Sequence, residues 1–397
     1  MSPSGPRPLV ALIVAAAVVW HVLVALAPPA PPLAKSVRGQ QLALVRTATA
    51  AATAGEDPYA RPARKPKAAR LPRNPATLLF TAWLPALSPT QAVVVWWVLG
   101  ELALLLTVVL LWRAWRPDAE AAAPALALAA ASSFGVGHAQ LLGHDVLLAV
   151  GLLVVADTAV RRLSFAAQIA AGTALGVALP LTLPAWGLLA LWIAQRRTVA
   201  AASAVAAGSG VAVASIAVVG TAAWSTWTTL VLPGVLDGTW FGPAAAAFGN
   251  HGLPGLLPLP AAVTAPVLGL LSYASAAVLF RTPTADVLTA GARLGALLSL
   301  GAIVPTVAPD PNLALALPAT ALAATAVVAG RLSPPWAAGI GLAWAVLAVP
   351  TPHLEQLATK VLTAPGPGAI AVQWLPTVAV LVVTFACGWV GRGKLST

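Results

Sequence analysis

The chain has 397 residues, of which 59% are hydrophobic and only 8% charged, with a formal net charge of +11. A soluble globule carries about 25% charged residues, so water is excluded as the main solvent. Nine of the 22 basic residues crowd into 35–73 without the aromatic-interleaved basic module used on nucleic acid, so the charge points to anionic lipid headgroups or a phosphorylated lipid.

Charge-free apolar runs recur along the chain, each long enough to enter the hydrocarbon layer, and backbone in lipid must satisfy its own hydrogen bonds. The pattern predicts an all-α fold, a polytopic transmembrane helical bundle of about twelve spans. Residues 1–28 hold the first span. Arg7, an apolar run and an Ala-Pro-rich exit resemble a signal peptide, but Pro8 to Ala27 outlasts a usual signal core and reads as a retained span.

Residues 29–90 form an external loop: a helix-compatible stretch at 37–54, a Pro/Arg/Lys-rich linker at 58–74 and a short apolar segment at 75–88. Counting 75–88 as a span would put Arg113 and the later arginine pairs outside, so both apolar stretches are expected to lie along the membrane surface as interfacial helices. The linker's Arg61, Arg64, Lys65, Lys67, Arg70 and Arg73 read as a solvated charge run or an attractor of anionic lipid.

A transmembrane bundle follows over 91–220, with spans near 91–112, 121–137, 144–160, 165–181, 184–195 and 198–220. Pro180 and Pro184 suggest a broken hairpin between the fifth and sixth spans. A second external loop, 221–259, carries Trp224, Trp227 and Trp240 as expected interface anchors. The C-terminal bundle, 260–397, holds spans near 260–280, 285–304, 312–330, 335–350 and 371–391. Cys387, in the last of these, is the chain's one cysteine, which excludes an intramolecular disulfide or a cysteine metal cluster. Arg7, Arg113, Arg116, Arg161, Arg162, Arg196, Arg197, Arg281, Arg331, Arg392 and Lys394 fall on one side of this layout, which makes that side, and both termini, cytoplasmic in a bacterial plasma membrane.

Four local patterns carry a resemblance. They are Ala-Gly-Glu-Asp-Pro-Tyr at 54–59, the proline-started apolar stretch from Pro75 to Leu87, Gly143-His144-Asp145, and Leu232-Pro233 followed by Asn250-His251-Gly252-Leu253-Pro254-Gly255. In this order, behind a first span and a long external loop, they resemble glycosyltransferase family 87, the polyprenol-phosphomannose-dependent group of the GT-C superfamily. The resemblance implies transfer of a hexose, most simply mannose, from a polyprenyl-phosphate donor to an envelope glycolipid or glycan. Such an inverting displacement requires no metal or other cofactor in principle, and no metal-ligand cluster is visible in the sequence. Two positions depart from the family's pattern. Where it places an acidic base, about eighteen residues before Tyr59, this chain has Gln41, and where it has a lysine three residues before Pro184 this chain has Leu181. Paired histidines that the family often shows near Pro309-Asp310-Pro311-Asn312 are also missing.

Proton acceptance from a hydroxyl needs a carboxylate or histidine, and a departing phosphate needs cationic or amide donors. The external acids are Glu56, Asp57, Asp145, Asp237, Asp310 and Glu355; the resemblance puts Glu56 and Asp57 at the pocket rim and so makes them the catalytic candidates, set against the plain reading of Asp57-Pro58 as a helix-ending turn. Tyr59, His144, Asp145, Asn250 and His251 are the substrate-binding candidates. His144 and Asp145 also suit a polar helix start, and Asn250 and His251 ordinary turn chemistry. Glu101 and Arg293 fall at similar mid-span depth with opposite sign and are expected to form an interhelical ion pair. Two other functions stay open: a degenerate homologue that binds lipid-linked sugar or a partner enzyme without catalysis, and a lipid or sugar transporter or flippase, against which the halves show no evident repeat.

Overall fold

The computed structural model describes residues 7–26, 38–59, 71–115, 119–241, 250–257, 260–305, 307–361 and 367–392. All its regular elements are helices, and no strand occurs among the described residues. Each expected span has a helix. In chain order the helices are α1 (Arg7–Leu26), α2 (Gln40–Thr53), a short α3 (Pro75–Leu79), α4 (Pro89–Ala114), α5 (Ala119–Ser132), α6 (Phe134–Leu142), α7 (Val146–Val160), α8 (Phe165–Ala178), α9 (Leu183–Ala194) and α10 (Thr198–Val219). Short turns α11 (Thr221–Thr226), α12 (Leu232–Asp237) and α13 (Leu253–Leu256) lead into α14 (Ala261–Leu279), α15 (Val287–Leu300), α16 (Leu317–Val328), α17 (Pro334–Ala348), the turn α18 (Thr351–Gln356) and α19 (Pro367–Gly391). Among the described residues four helices are long and apolar enough to cross a membrane alone, or up to six if two bent pairs each count as one. The other apolar helices have 10–17 residues.

The bends have local causes. The run expected as one span at 121–137 is two helices, α5 and α6, meeting at 52°. Ser133 between them is extended, and its hydroxyl accepts from the Val136 N–H, restarting the helix in a new direction. The 92° bend after α17 comes at Val349-Pro350, where proline holds the preceding residue out of the helical region. Pro75 to Leu87 is likewise broken. After α3 the chain turns and closes a 3-10 helix, Leu84–Ala86, with Pro85 inside it.

Small residues set the closest packing. On α8, Gly172 and Gly176 face α10, where an added Cβ would stand 2.4 Å from the Ala200 carbonyl oxygen and 2.6 Å from that of Ala204. In lipid, close backbone approach of this kind supplies the association that the hydrophobic effect does not. Gly176→Val is therefore expected to cost about 1–3 kcal/mol through overpacking. It should show as a lower thermal midpoint in detergent, while Gly210→Val, with open space at its Cβ position, should leave the midpoint unchanged.

The helix ends sort into two layers. At one end lie Arg161, Arg197, Arg293 and Arg331. Arg197 Nη1 donates to the Val160 carbonyl at 2.5 Å, and Arg293 donates to Gly391 at 2.9 Å, Phe280 at 3.2 Å and Thr282 at 2.5 Å. These cations cap the carbonyl ends of α7, α14 and α19, where the helix dipoles are negative. At the other end, roughly 22 Å away along the fifteen residues of α7, the two loop regions meet. Tyr59, Leu71, Leu78, Val219, Val231 and Trp240 form a second small core there. The Trp240 indole N–H donates to the Leu71 carbonyl at 3.2 Å. Trp240 is thus a buried packing residue rather than the interface anchor expected of it, because the 71–79 segment covers it.

The Glu101–Arg293 pair is corrected. Arg293 is engaged at the arginine end by three carbonyls, whereas Glu101 on α4 accepts from Gln140 on α6 and lies 3.2 Å from His21 Nε2 on α1. Similar depth along two helices does not fix the direction in which either side chain faces.

Candidate functional site

The site is assembled around the end of α6. Gly143 adopts φ 70° there and closes the helix in the left-handed conformation, and a Cβ on it would meet the Leu42 Cβ at 2.8 Å. From the other side Gly39, at φ 73°, donates its N–H to the Leu141 carbonyl at 2.8 Å. The start of α2 is thereby docked on the end of α6, and His144 and Asp145 follow directly in the turn before α7. Asn74 anchors the next wall by donating to the Pro180 carbonyl at 2.9 Å. That bond carries Arg73, its neighbour, to the α8–α9 turn.

A cavity of about 110 Å³ opens between these parts, lined by Arg73, His144, Asp145, Leu181, Thr182 and Asn312 among others. Arg73 donates through Nη2 to Asp145 Oδ1, reaches His144 Nε2 at 3.0 Å, and donates through Nη1 to the Leu181 carbonyl at 3.4 Å. His144 Nδ1 lies 3.2 Å from Asp145 Oδ1 and 3.2 Å from the Val146 N–H. A neutral imidazole has one acceptor nitrogen. Arg73 faces Nε2 and the Val146 N–H faces Nδ1, both as donors, so a neutral imidazole accepts from one of them, and it donates to Asp145 only when the proton is on Nδ1. Burial, then the adjacent guanidinium, lowers the His144 pKa to about 3, against the pull of Asp145. His144 is therefore a neutral polar group at physiological pH and a poor base. Arg73 and His144 both meet Asp145 at Oδ1.

The other expected residues take different places. Tyr59 is 5% exposed, and its hydroxyl donates to the Arg73 carbonyl at 2.8 Å, so it fixes the backbone of Arg73. Burial, with the Asp57 carboxylate nearby, pushes its phenol well above the usual range, and it stays protonated. Asp57 accepts from the Tyr59 N–H at 2.9 Å, an Asx turn. Glu56 and Asp57 are both exposed, and neither lines the cavity. Arg61, Arg64, Lys65, Lys67 and Arg70 lie outside the described residues.

Asn250 and His251, read from sequence as presenting side chains to a cleft, are 2% and 0% exposed. Asn250 Oδ1 accepts from Gly252 at 2.9 Å and Ala308 at 2.9 Å, and the His251 N–H donates to the Ala308 carbonyl at 2.9 Å. His251 Nε2 donates to Asp310 Oδ1 at 2.8 Å, and His138 Nδ1 stands 3.2 Å from Oδ2. Asn250 and His251 thus clasp the chain at Ala308 and Asp310 and lie inside the protein, where Asn250 Oδ1 and His251 Nε2 find partners. Two histidines do meet near Asp310, but they come from α6 and from the segment before α13. The approach is set by Gly135, whose Cβ would stand 2.6 Å from the Ala314 nitrogen. Among the described residues no group of three His, Cys, Asp or Glu side chains is placed to hold a metal ion.

Sequence reasoning missed Arg73 as a site residue. It reads as the last member of a basic run, and its only distinguishing signal is its place just before Asn74-Pro75, a helix start.

The model of glycosyltransferase family 87 matches residues 74–308, more than half of the chain. No curated protein matches it. Among solved structures, the chain is similar to ArnT from Cupriavidus metallidurans bound to undecaprenyl phosphate, with a TM-score of 0.45 at 15% identity, covering 97% of this chain and 77% of that one. For ArnT from the same organism in the apo state the TM-score is 0.40 at 15% identity, covering 98% and 77%.

Proposed function

The chain belongs to glycosyltransferase family 87, and from that premise we propose that it transfers a hexose, mannose on the family resemblance, from a polyprenyl-phosphate donor to an envelope glycolipid or glycan. One observation carries the reading. Leu181, where the resemblance expects a lysine, lines a cavity whose cation is supplied from elsewhere, by Arg73 with its Nη1 on the Leu181 carbonyl. A guanidinium suits a phosphate at least as well as an ammonium does, because its planar fork can hold two oxygens.

In this reading Arg73, with Asn312 and the neutral His144, holds the donor's phosphate, and the polyprenyl chain runs among the helices. The acceptor oxygen bonds to the anomeric carbon as the bond from that carbon to the phosphate oxygen breaks. The electron pair leaves with the phosphate, and the hydroxyl proton passes to Asp145 Oδ2. As negative charge gathers on the phosphate, Arg73 turns toward it and loosens its hold on Asp145. The cavity lies at the end of α7 opposite the arginine-capped ends, which under the positive-inside tendency faces the non-cytoplasmic side with both termini cytoplasmic. The displacement asks for no cofactor.

A second reading assigns the base to Glu56 or Asp57, favoured by the Tyr59 hydroxyl that ties their turn to the Arg73 carbonyl. Purified protein incubated with radiolabelled polyprenyl-phosphate hexoses and membrane lipid extract separates the cases. Asp145→Asn is expected to lower turnover by about 10²–10⁴, while Glu56→Gln and Asp57→Asn stay within a few fold. The opposite pattern moves the base to the exposed turn. Donor binding without turnover by the unaltered protein identifies a binding homologue, and movement of the label across vesicles without transfer identifies a transporter.

A further inference from the structure

The arginine-capped end of the bundle holds a recess of its own, at the far end of α7 from Arg73. It is a cavity of about 20 Å³ among the ends of α7 and α9, the turn between α14 and α15, and α15 itself. Its polar lining is Asp157, Arg161, Gln195, Arg197, Thr284 and Arg293. Local sequence brings the three arginines together. Asp157 and Arg161 stand one helical turn apart at the end of α7 and are paired. After α9 the chain turns through Arg196, at φ 57°, and the Arg197 N–H returns to the Trp192 carbonyl at 2.9 Å. Glycine usually makes that closure; here it turns Arg197 back toward the end of α9. Arg293 reaches the recess from α15.

Three guanidiniums thus line the recess against one carboxylate. Asp286, the acid of the α14–α15 turn, is taken up by the Thr289 N–H at 3.1 Å and Arg331 at 3.3 Å. The carbonyls that the arginines cap do not saturate them either. Among the described residues, Arg197 Nη2 and Arg293 Nη2 donate to no protein atom, although Arg293 is buried. Burial lowers the Arg197 pKa, with Asp157 opposing the fall and Arg161 adding to it. Buried cations short of counter-charge and acceptors are costly, and an oxyanion supplies both. Arg161 and Arg197 are part-exposed, so the recess is reached from outside. The place narrows the choice of anion. This end faces the cytoplasm under the positive-inside tendency, where basic recesses between helices take anionic lipid heads. The arginine fork matches phosphate oxygens. Leu163 and Phe165, two and four residues after Arg161, are 93% and 68% exposed. Apolar surface for an acyl chain thus follows directly on the arginine end of α7.

We propose that the recess at the ends of α7, α9 and α15 binds one phosphoryl group, of a lipid head in the cytoplasmic leaflet or of free phosphate, through Arg161, Arg197 and Arg293. The proposal rests on no part of the transfer reading. Native mass spectrometry of the full-length protein with dioleoylphosphatidic acid or dioleoylphosphatidylcholine tests it. The unaltered protein is expected to retain the phosphatidic acid about tenfold more, the worth of one hydrogen bond to a charged group. Arg197→Gln loses the charge but keeps a donor for the Val160 carbonyl, and should remove most of that preference. Arg162→Gln, exposed at the same end but outside the recess, should keep it. Asp157→Asn removes the competing carboxylate and should raise retention, a gain that misfolding does not produce. Radiolabelled inorganic phosphate separates the two sources. Phosphate that displaces the lipid, or binds lipid-free protein saturably with the same dependence on Arg197, assigns the site to free phosphate. Lipid retention that phosphate leaves intact assigns it to the lipid head. Equal retention of the two lipids together with no binding of phosphate would overturn the proposal. So would equal losses in Arg162→Gln and Arg197→Gln, or a loss on Arg73→Ala but not on Arg197→Gln.

Discussion

Arg73→Ala is expected to lower hexose transfer by about 10²–10³, the range found when one preorganised donor to a developing oxyanion is removed. Arg73 is the guanidinium in the cavity wall, joined to Asp145, His144 and the Leu181 carbonyl. Its removal takes away the positive charge for the departing phosphate and leaves a part-buried carboxylate unpaired. Arg73→Lys should recover only part of the loss, since an ammonium carries the charge without the fork that spans both partners. The informative companion is Leu181→Lys in the Arg73→Ala background, which returns a cation to the cavity from the wall where the resemblance expects one. Recovery of turnover there, read with a fixed donor concentration, would show that the cavity needs a cation rather than that arginine's backbone position.

Asp310→Ala carries the largest expected cost in stability. Its two oxygens stand 2.8 Å from His251 Nε2 and 3.2 Å from His138 Nδ1, and the His251 side chain is fully buried. Removing one partner of a buried pair costs about 3–5 kcal/mol, because what remains cannot be solvated. Here two imidazoles are stranded at once, and the clasp loses one of its side-chain bonds, keeping that of Asn250 with Ala308. Asp310→Asn keeps an acceptor and should cost less, about 1–3 kcal/mol. Both are read from the thermal midpoint of the purified protein in detergent. Asn312, two residues on, lines the cavity, so Asp310→Asn should also weaken transfer without any change in the groups that touch substrate.

The sequence made the helices legible because apolar length and charge placement are local properties, and both survive in lipid. The arginines that place one face of the layout do gather at the ends of α7, α14 and α19. Facing direction was not legible. Glu101 and Arg293 match in depth, but depth counted along a helix says nothing of azimuth, and each found other partners. The break at Ser133 turned an expected span into α5 and α6, and only that turn brings His138 and Gln140 to Asp310 and Glu101. His251 lies 59 residues from Asp310 in sequence, so the pairing required tertiary contacts that no local pattern carries. Gly143-His144-Asp145 was legible as polar groups at a helix start. Arg73, which joins His144 and Asp145 in the cavity wall, was hidden in a basic run whose other residues share its chemistry but not its position.

The claim on which the rest depends is that a lipid-borne phosphate sits against Arg73. Equilibrium binding of a polyprenyl phosphate to the protein in nanodiscs, unaltered and Arg73→Ala, measures it without requiring turnover. Saturable binding is expected to weaken at least tenfold in the variant, with both proteins folded under the conditions of the measurement. Equal affinity in the two, with both folded, would contradict it and move the phosphate elsewhere.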